Sequence, residues 1–295
     1  MSAHRARARI FSTCPPSSAL PPGAYPERVA EVARWSEEAG CEGILVYADN
    51  SLLDPWLVAE RVLRATERLA PLVAVQPVYM HPYSVAKMVA SLAHLHGRAV
   101  HLNMVSGGFK NDLLALGDET PHDRRYDRLT EYTKIVQGLL GNGPVSLAGD
   151  FYRVEGLRLQ PPLPEALRGE VFVSGSSEAG MGAARVLGAL AVKYPRPAHE
   201  EQAEEDWKDD GVARGVRVGV IARAGEEEAW RVAHERFPGD RRGQLTHQLA
   251  MKVSDSVWHR QLSKTAQTTG GSPYWLFPFQ NYKTMCPYLV GSYER

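Results

Sequence analysis

Short apolar runs alternate with longer amphipathic segments along most of the chain. The runs have the length of buried strands, and the segments between them repeat apolar residues at helical spacing. Strands that alternate with helices form parallel sheets covered on both faces, so the pattern predicts an α/β fold. Parallel strands are predicted to begin at Arg9, Gly43, Pro71, Val100, Glu170, Leu190 and Val216.

The succession of these elements favours a TIM-type (β/α)8 barrel over a doubly wound sheet. Polar residues follow the predicted strands, as the mouth of a barrel requires, and no GxGxxG segment follows the first strand. The strand-end residues are Asp49, Gln76, Asn103, Ser174 and Tyr194. The predicted strands are one too few for closure, so we expect the final βα unit to be absent.

Two further segments complete the predicted organisation. Residues 145–159 are expected to form a hairpin that turns near Gly149, and residues 239–287 an irregular insertion after the seventh strand. We expect a single domain over residues 1–295. Its open edge would be covered by the insertion, by a partner chain or by residues beyond Arg295.

Composition and charge narrow the class of partner. The formal net charge is zero, so the chain encodes no general attraction to nucleic acid or to an anionic membrane. No apolar run approaches the roughly 20 residues that span a bilayer, and no signal-peptide core follows the arginine-rich start. Cys14, Cys41 and Cys286 lack the spacing of a disulfide scaffold or a zinc site. We therefore expect a cytoplasmic protein with reduced thiols, no metal and a small-molecule partner.

The strand end LNMVSGG, residues 102–108, is a candidate surface for binding a planar cofactor. Asn103 and Ser106 offer amide and hydroxyl groups to the edge of a planar heterocycle, and the glycines let a ring approach the backbone. The alternative interpretation is a strand that runs into a glycine turn and then a helix.

Two predicted helix starts carry further candidates. VFVSGSSEAG places Ser176 and Ser177 where free amides and hydroxyls can bind a phosphate, although ordinary helix capping is the alternative. In HDRRYDR, Tyr126 can hydrogen-bond a phosphate or ribityl oxygen. The three arginines of that segment are predicted to be solvated.

In these three segments the chain resembles the bacterial luciferase-like flavin monooxygenases, especially their alkanesulfonate and long-chain alkane monooxygenase branch. LNMVSGG matches that branch's N-x-V-[ST] strand end, HDRRYDR its H-x-x-R-Y helix start and GSSEAG its phosphate-side turn. The likeness extends over roughly residues 9–221 and implies a TIM-type barrel. The flavin-contacting positions that it implies are Asp49, Asn103, Ser106, Tyr126, Ser176 and Ser177.

The resemblance also implies a reaction and its partners. They are reduced FMN delivered by a separate flavin reductase, O2, and a small organic substrate that is oxygenated through a flavin C4a-peroxide. A homodimer or homotetramer is implied as well, together with a non-prolyl cis peptide near residues 74–76. Two alternatives stay open: an oxidoreductase of the same fold that uses the deazaflavin F420, and a non-catalytic flavin-binding homologue.

The chain departs from the sulfonate enzymes at positions expected to do chemistry. Leu52 stands where they carry a cysteine, and Gly219 where they carry the histidine of an Arg-x-His pair. Arg217 remains a candidate for stabilising negative charge because its guanidinium stays protonated, with a strand-end ion pair as the alternative. Tyr282 and Lys283 lie near the expected charged position of the lid and are further catalytic candidates.

Overall fold

The computed structural model describes residues 8–175, 177–201, 211–253, 262 and 272–294 as an α/β fold. The strands are β1 (Phe11–Thr13), β2 (Gly43–Val46), β3 (Ala70–Val75), β4 (His101–Val105), β5 (Val145–Ala148), β6 (Arg153–Leu157), β7 (Val171–Ser174), β8 (Leu190–Lys193), β9 (Arg214–Val216), β10 (Gly219–Arg223), β11 (Tyr274–Trp275) and β12 (Tyr288–Ser292). The helices are α1 (Tyr25–Glu38), α2 (Pro55–Ala65), α3 (Pro82–His96), α4 (Lys110–Ala115), α5 (His122–Leu140), α6 (Glu178–Leu187), α7 (Ala198–Glu201), α8 (Glu226–Arg236), α9 (Arg241–Val253) and α10 (Phe277–Gln280).

Seven of the described strands form one sheet in the order β1-β2-β3-β4-β7-β8-β9. This order follows the chain, as it does in a TIM-type barrel. In the described part of the chain, the sheet ends at β1 and β9, and no strand closes it. The predicted barrel fold without its closing βα unit is therefore confirmed.

The chain divides into two compact units. The first comprises Met1–Ser106 and Asp123–Phe172, and the second comprises Gly107–His122 and Val173–Arg295. The expectation of a single domain stays a prediction.

No helix among the described residues is long and apolar enough to cross a membrane.

In the first unit, β1 to β4 pair in parallel, and α1 and α2 pack on β2 and β3. Every residue of β3 is buried, as a strand covered on both faces requires. Helix α2 begins after Asp54, whose carboxylate accepts hydrogen bonds from two backbone amides. Helix α3 ends at Gly97, which has the left-handed φ of 64° that glycine adopts without strain.

The predicted hairpin is present in the first unit as the antiparallel pair β5 and β6. Its turn is fastened to α5 through Glu131. The Glu131 carboxylate accepts hydrogen bonds from the amides of Asp150 (2.9 Å), Phe151 (2.9 Å) and Tyr152 (3.1 Å). A Cβ on Gly149 would lie 2.3 Å from a Glu131 oxygen, so any larger residue there would displace this carboxylate.

The second unit differs from the prediction after Val216. The expected seventh strand is divided, because β9 joins the large sheet whereas β10 pairs with β12 in a three-stranded sheet. Gly219 starts β10 against the ring of Tyr288, where a Cβ would lie 2.3 Å from Cζ. The segment 239–287 was expected to be irregular, but its described part contains α9, β11 and α10.

The expected cis peptide near residues 74–76 is wrong. The cis bond among the described residues is Gln160–Pro161. Ala74 and Val75 instead continue the regular parallel register of β3 with Asn103 and Met104 of β4, which trans peptides satisfy.

Candidate active site

One face of the first unit's sheet changes from aromatic to polar along the strand direction. At the amino ends of the strands, Phe11, His101 and Phe172 meet edge to face, with ring centroids 5.3 to 6.0 Å apart. Side chains alternate along a strand, so Asn103 lies on the same face as His101 and two residues nearer the carboxyl end. A polar site can therefore form at the carboxyl ends of the strands, above an aromatic floor.

Asn103 and Ser106 are the polar residues at the end of β4, and each is only 6% exposed. Tyr126, on the buried face of α5, is exposed to the same extent. All three belong to the first unit. A buried amide and two buried hydroxyls offer both donors and acceptors, as the polar edge of a flavin requires, so these residues fit such a group.

The loops after β2 and β3 are joined by hydrogen bonds that the amino-acid pattern does not indicate. The Tyr79 hydroxyl donates to Asn50 Oδ1 (2.7 Å) and accepts from Gln76 Nε2 (3.2 Å). Asp49 accepts hydrogen bonds from the amide (2.8 Å) and hydroxyl (2.6 Å) of Ser51, so its carboxylate shapes the turn after β2. In the sequence, the only indication of these contacts is that the residues involved follow two predicted strands.

The arginines at the start of α5 differ in their surroundings. Arg124 is half-exposed and pairs with Asp127 (2.8 Å) and Asp150 (2.7 Å), in agreement with a solvated charge. Arg125 is 1% exposed, so the prediction that it is solvated is wrong. The reason is helical geometry, since Arg125 shares the buried side of α5 with Tyr126 and Leu129.

In the second unit, Ser177 is the N-cap of α6 and accepts a hydrogen bond from the amide of Gly180 (3.1 Å). Ser177 therefore caps the helix, as the alternative interpretation expected, with its hydroxyl oxygen as the acceptor. The amino terminus of this ten-residue helix also favours an anion through its backbone amides. Ser176 lies outside the described residues.

Arg217 lies just after β9 and contacts Tyr194, which follows β8. Its Nη1 donates to the Tyr194 hydroxyl (3.3 Å), and its guanidinium carbon lies 5.9 Å from the centroid of that ring. Burial raises the pKa of the Cys286 thiol, and the nearby Arg217 charge acts in the opposite direction. The guanidinium is thus placed at the carboxyl ends of strands in its own unit.

Tyr282 and Lys283 lie in a turn that is fastened to the start of α9. Lys283 Nζ lies 2.5 Å from Asp240 Oδ2, and this contact holds the pKa of Asp240 below its usual range. Asn281 is 1% exposed and accepts a hydrogen bond from the Asp240 amide (2.8 Å). Tyr282 has a φ of 56°, in the left-handed region. These contacts are structural, and the catalytic role of both residues stays a prediction.

A cluster with metal-ligand spacing lies at the opposite, amino ends of the strands. Ligand atoms of Glu42, His101 and Glu170 lie within 4.8 Å of one another. Arg9 donates to Glu42 (2.7 Å) and to Glu170 (3.0 Å) and thereby lowers the pKa of both carboxyls. The Nδ1 of His101 accepts from the Glu170 amide (3.0 Å), and burial lowers the pKa of the ring. These contacts explain the cluster as a structural ion-pair network in which Arg9 joins Glu42 and Glu170, here called the Arg9 tie.

Comparison with known proteins points to one family. The family model described as luciferase-like monooxygenase matches residues 8–270. The chain is 35% identical over 278 residues to 4-(gamma-L-glutamylamino)butanoyl-[BtrI acyl-carrier protein] monooxygenase BtrO of Niallia circulans, covering 92% of this chain and 81% of that protein.

Solved structures show the same fold. Long-chain alkane monooxygenase LadA matches with a TM-score of 0.70 at 17% identity, covering 96% of this chain and 81% of that one. The oxygenating constituent of 3,6-diketocamphane monooxygenase from Pseudomonas putida, in complex with FMN, matches with a TM-score of 0.67 at 15% identity, covering 96% and 84%.

Proposed function

Since this chain belongs to the luciferase-like monooxygenase family, we propose that it is a two-component enzyme that uses reduced FMN and O2 to oxygenate an organic substrate. The observation that carries this proposal is the buried polar set of Asn103, Ser106 and Tyr126. The donors and acceptors of these groups match a flavin's polar edge and side chain. A separate flavin reductase would deliver the cofactor.

Each residue has a proposed task. Asn103 and Ser106 orient the ring system. The family resemblance implies a phosphate-binding role for Tyr126 and for Ser176 and Ser177, and in the second unit the amino terminus of α6 favours an anion. Arg217 stabilises negative charge that develops during oxygenation, because a guanidinium remains charged and offers several donors. When bound, reduced FMN supplies the electrons that activate O2.

The relative BtrO supports a class of substrate. Its name states that it acts on an acyl group attached to an acyl-carrier protein, and the two chains are similar along 92% of this one. We propose that this protein likewise takes an acyl group presented on a carrier. Turnover of a carrier-bound acyl thioester, with no turnover of the free acid, is the expected result. Equal turnover of the two forms would contradict the carrier requirement.

The proposal extends to location and assembly. Cys14, Cys41 and Cys286 are free thiols, which supports a reducing compartment such as the cytoplasm. The family resemblance supports a homodimer or homotetramer. Light scattering of the purified protein measures the assembly directly.

The central test is a titration with photoreduced FMN under nitrogen, followed by addition of O2 and product analysis. Asn103→Ala should weaken reduced FMN about 3- to 10-fold, since one neutral hydrogen bond contributes about 0.5–1.5 kcal/mol. Asn142→Ala is the control, because Asn142 bonds the backbone of Leu163 and should affect stability alone. Flavin binding without oxygenation would favour the non-catalytic alternative, and binding of F420 with hydride transfer would favour the deazaflavin enzyme.

A further inference from the structure

Two tyrosines hold the loop between β3 and α3. The Tyr132 hydroxyl, on α5, donates to the carbonyl of Met80 (3.0 Å). The Tyr152 hydroxyl, at the end of the hairpin turn, donates to the carbonyl of Pro77 (3.4 Å). The two rings meet edge to face with centroids 5.5 Å apart. One clamp therefore contacts the loop at both ends of a four-residue stretch.

The two tyrosines of the clamp are held in place by the hairpin turn and by helix α5. Tyr152 is positioned by the hairpin turn, whose amides are bonded to Glu131, and Tyr132 lies one residue further along the same helix. Tyr132 is fully buried, and burial raises the pKa of its hydroxyl, so the group stays protonated as a donor. Neither hydroxyl belongs to the proposed binding set, yet both are aimed at the backbone of one loop.

The clamped loop borders the proposed cofactor site. It begins with Gln76, directly after β3, and β3 is paired with β4 so that Ala74 is level with Asn103. Continuing the alternation of β3 by one residue beyond Val75 places Gln76 on the face of Ala74 and Asn103. The side-chain amide of Gln76 donates to the carbonyl of Ala48 (3.4 Å). Tyr79 lies in the same loop and is bonded to Gln76 and Asn50.

We propose that Tyr132 and Tyr152 are positioning residues of the cofactor site, which fix the loop 76–81 and thereby the amide of Gln76 on the face that carries Asn103. The inference rests on the proposed function for its cofactor, but the clamp is a property of the fold. The tyrosines act through the carbonyls of Met80 and Pro77. Loss of either hydroxyl leaves the ring packing in place and frees the loop.

The first arm of the test measures the loop without any ligand. Hydrogen exchange of the full chain is compared for wild type, Tyr132→Phe, Tyr152→Phe and the double variant. The Tyr79 amide, which is bonded to Gln76 O (3.1 Å), should exchange roughly tenfold faster in the double variant. Amides of β3 and β4 should be unchanged. Tyr293→Phe is the control, because Tyr293 is 72% exposed in the second unit.

The second arm measures FMN affinity with and without Gln76. The double tyrosine variant should weaken FMN about 3- to 10-fold. In a Gln76→Ala background the same tyrosine changes should have little further effect, because the group that they position is gone. A purely structural role of the tyrosines would weaken FMN equally in both backgrounds.

The two measurements distinguish failure of the clamp, failure of positioning through Gln76 and failure of the proposed function. Unchanged exchange of the Tyr79 amide in the double variant overturns the clamp, whatever FMN does. Faster exchange with equal losses of affinity in both backgrounds overturns positioning through Gln76. If the wild type binds no FMN, the proposed function fails, and the hydrogen-exchange arm alone decides the clamp.

Discussion

Replacing Arg9 with alanine should destabilise the protein in a way that depends on pH. Arg9 binds two carboxylates from different parts of the chain, Glu42 and Glu170, and the three side chains are between 41% and 49% exposed. Ion pairs this exposed contribute about 0.2–1 kcal/mol each, so two pairs that share one guanidinium contribute roughly 0.5–2 kcal/mol. Without Arg9, the two carboxylates also repel each other.

The sign of the pH dependence follows from the pKa shifts. Arg9 lowers the pKa of Glu42 and Glu170 below the ordinary value of 4.5, so their contribution is complete above that pH. It is lost as the pH falls through the lower, folded-state values. Burial lowers the pKa of His101 below 6.5, so its contribution is likewise lost on acidification. Wild-type stability should therefore decline below about pH 6.5, and the cost of Arg9→Ala should disappear in strong acid.

Urea unfolding of wild type and Arg9→Ala at several pH values measures these effects. The matched control is Arg28→Ala, because Arg28 and Glu31 form a local pair on α1 with exposed fractions of 42% and 40%. A local pair links no separate strands and should matter less than the Arg9 tie. Equal losses for the two variants, or a loss for Arg9→Ala that persists in strong acid, would refute the reasoning.

Two further predictions concern the proposed flavin site. Replacing Ser176 and Ser177 together with alanine should weaken reduced FMN at least about tenfold, because each hydrogen bond to a charged group contributes roughly 1.5–3 kcal/mol; an unchanged titration rejects the phosphate assignment. Arg217→Ala should lower turnover on the order of 10²-fold with flavin affinity nearly intact, and Arg217→Lys should recover part of it. Full oxygenation by Arg217→Ala would make this residue structural.

Most of the secondary structure could be predicted because its signals are local. The strand β3 is a continuous apolar run, and a strand buried on both faces needs no more than that. The start of α2 at Asp54 and Pro55 and the end of α3 at Gly97 follow from capping and backbone preference. The candidate residues Asn103 and Ser106 were found for the same reason, since they stand where an apolar run ends.

Other features depended on neighbours that are remote in the chain. Arg125 reads as one of several charged residues in HDRRYDR, and only the orientation of α5 decided that it is buried while Arg124 is half-exposed. The division of the seventh strand likewise accompanies the pairing of β10 with β12, which begins at Gly219 and Tyr288 and which the spacing of apolar residues does not encode.

By itself, the amino-acid sequence determined the order of strands and helices and the barrel-type topology, and it supplied the strand end that we propose as the cofactor site. Burial patterns and helix caps involve only a few consecutive residues, so they can be recognised in the amino-acid sequence. The tertiary structure alone decided that Tyr152 reaches Pro77, 75 residues away, and that Arg9 joins Glu170, 161 residues away. Hydrogen bonds form only between groups within roughly 3.5 Å of each other, and residues this remote in the chain come so close only once it has folded.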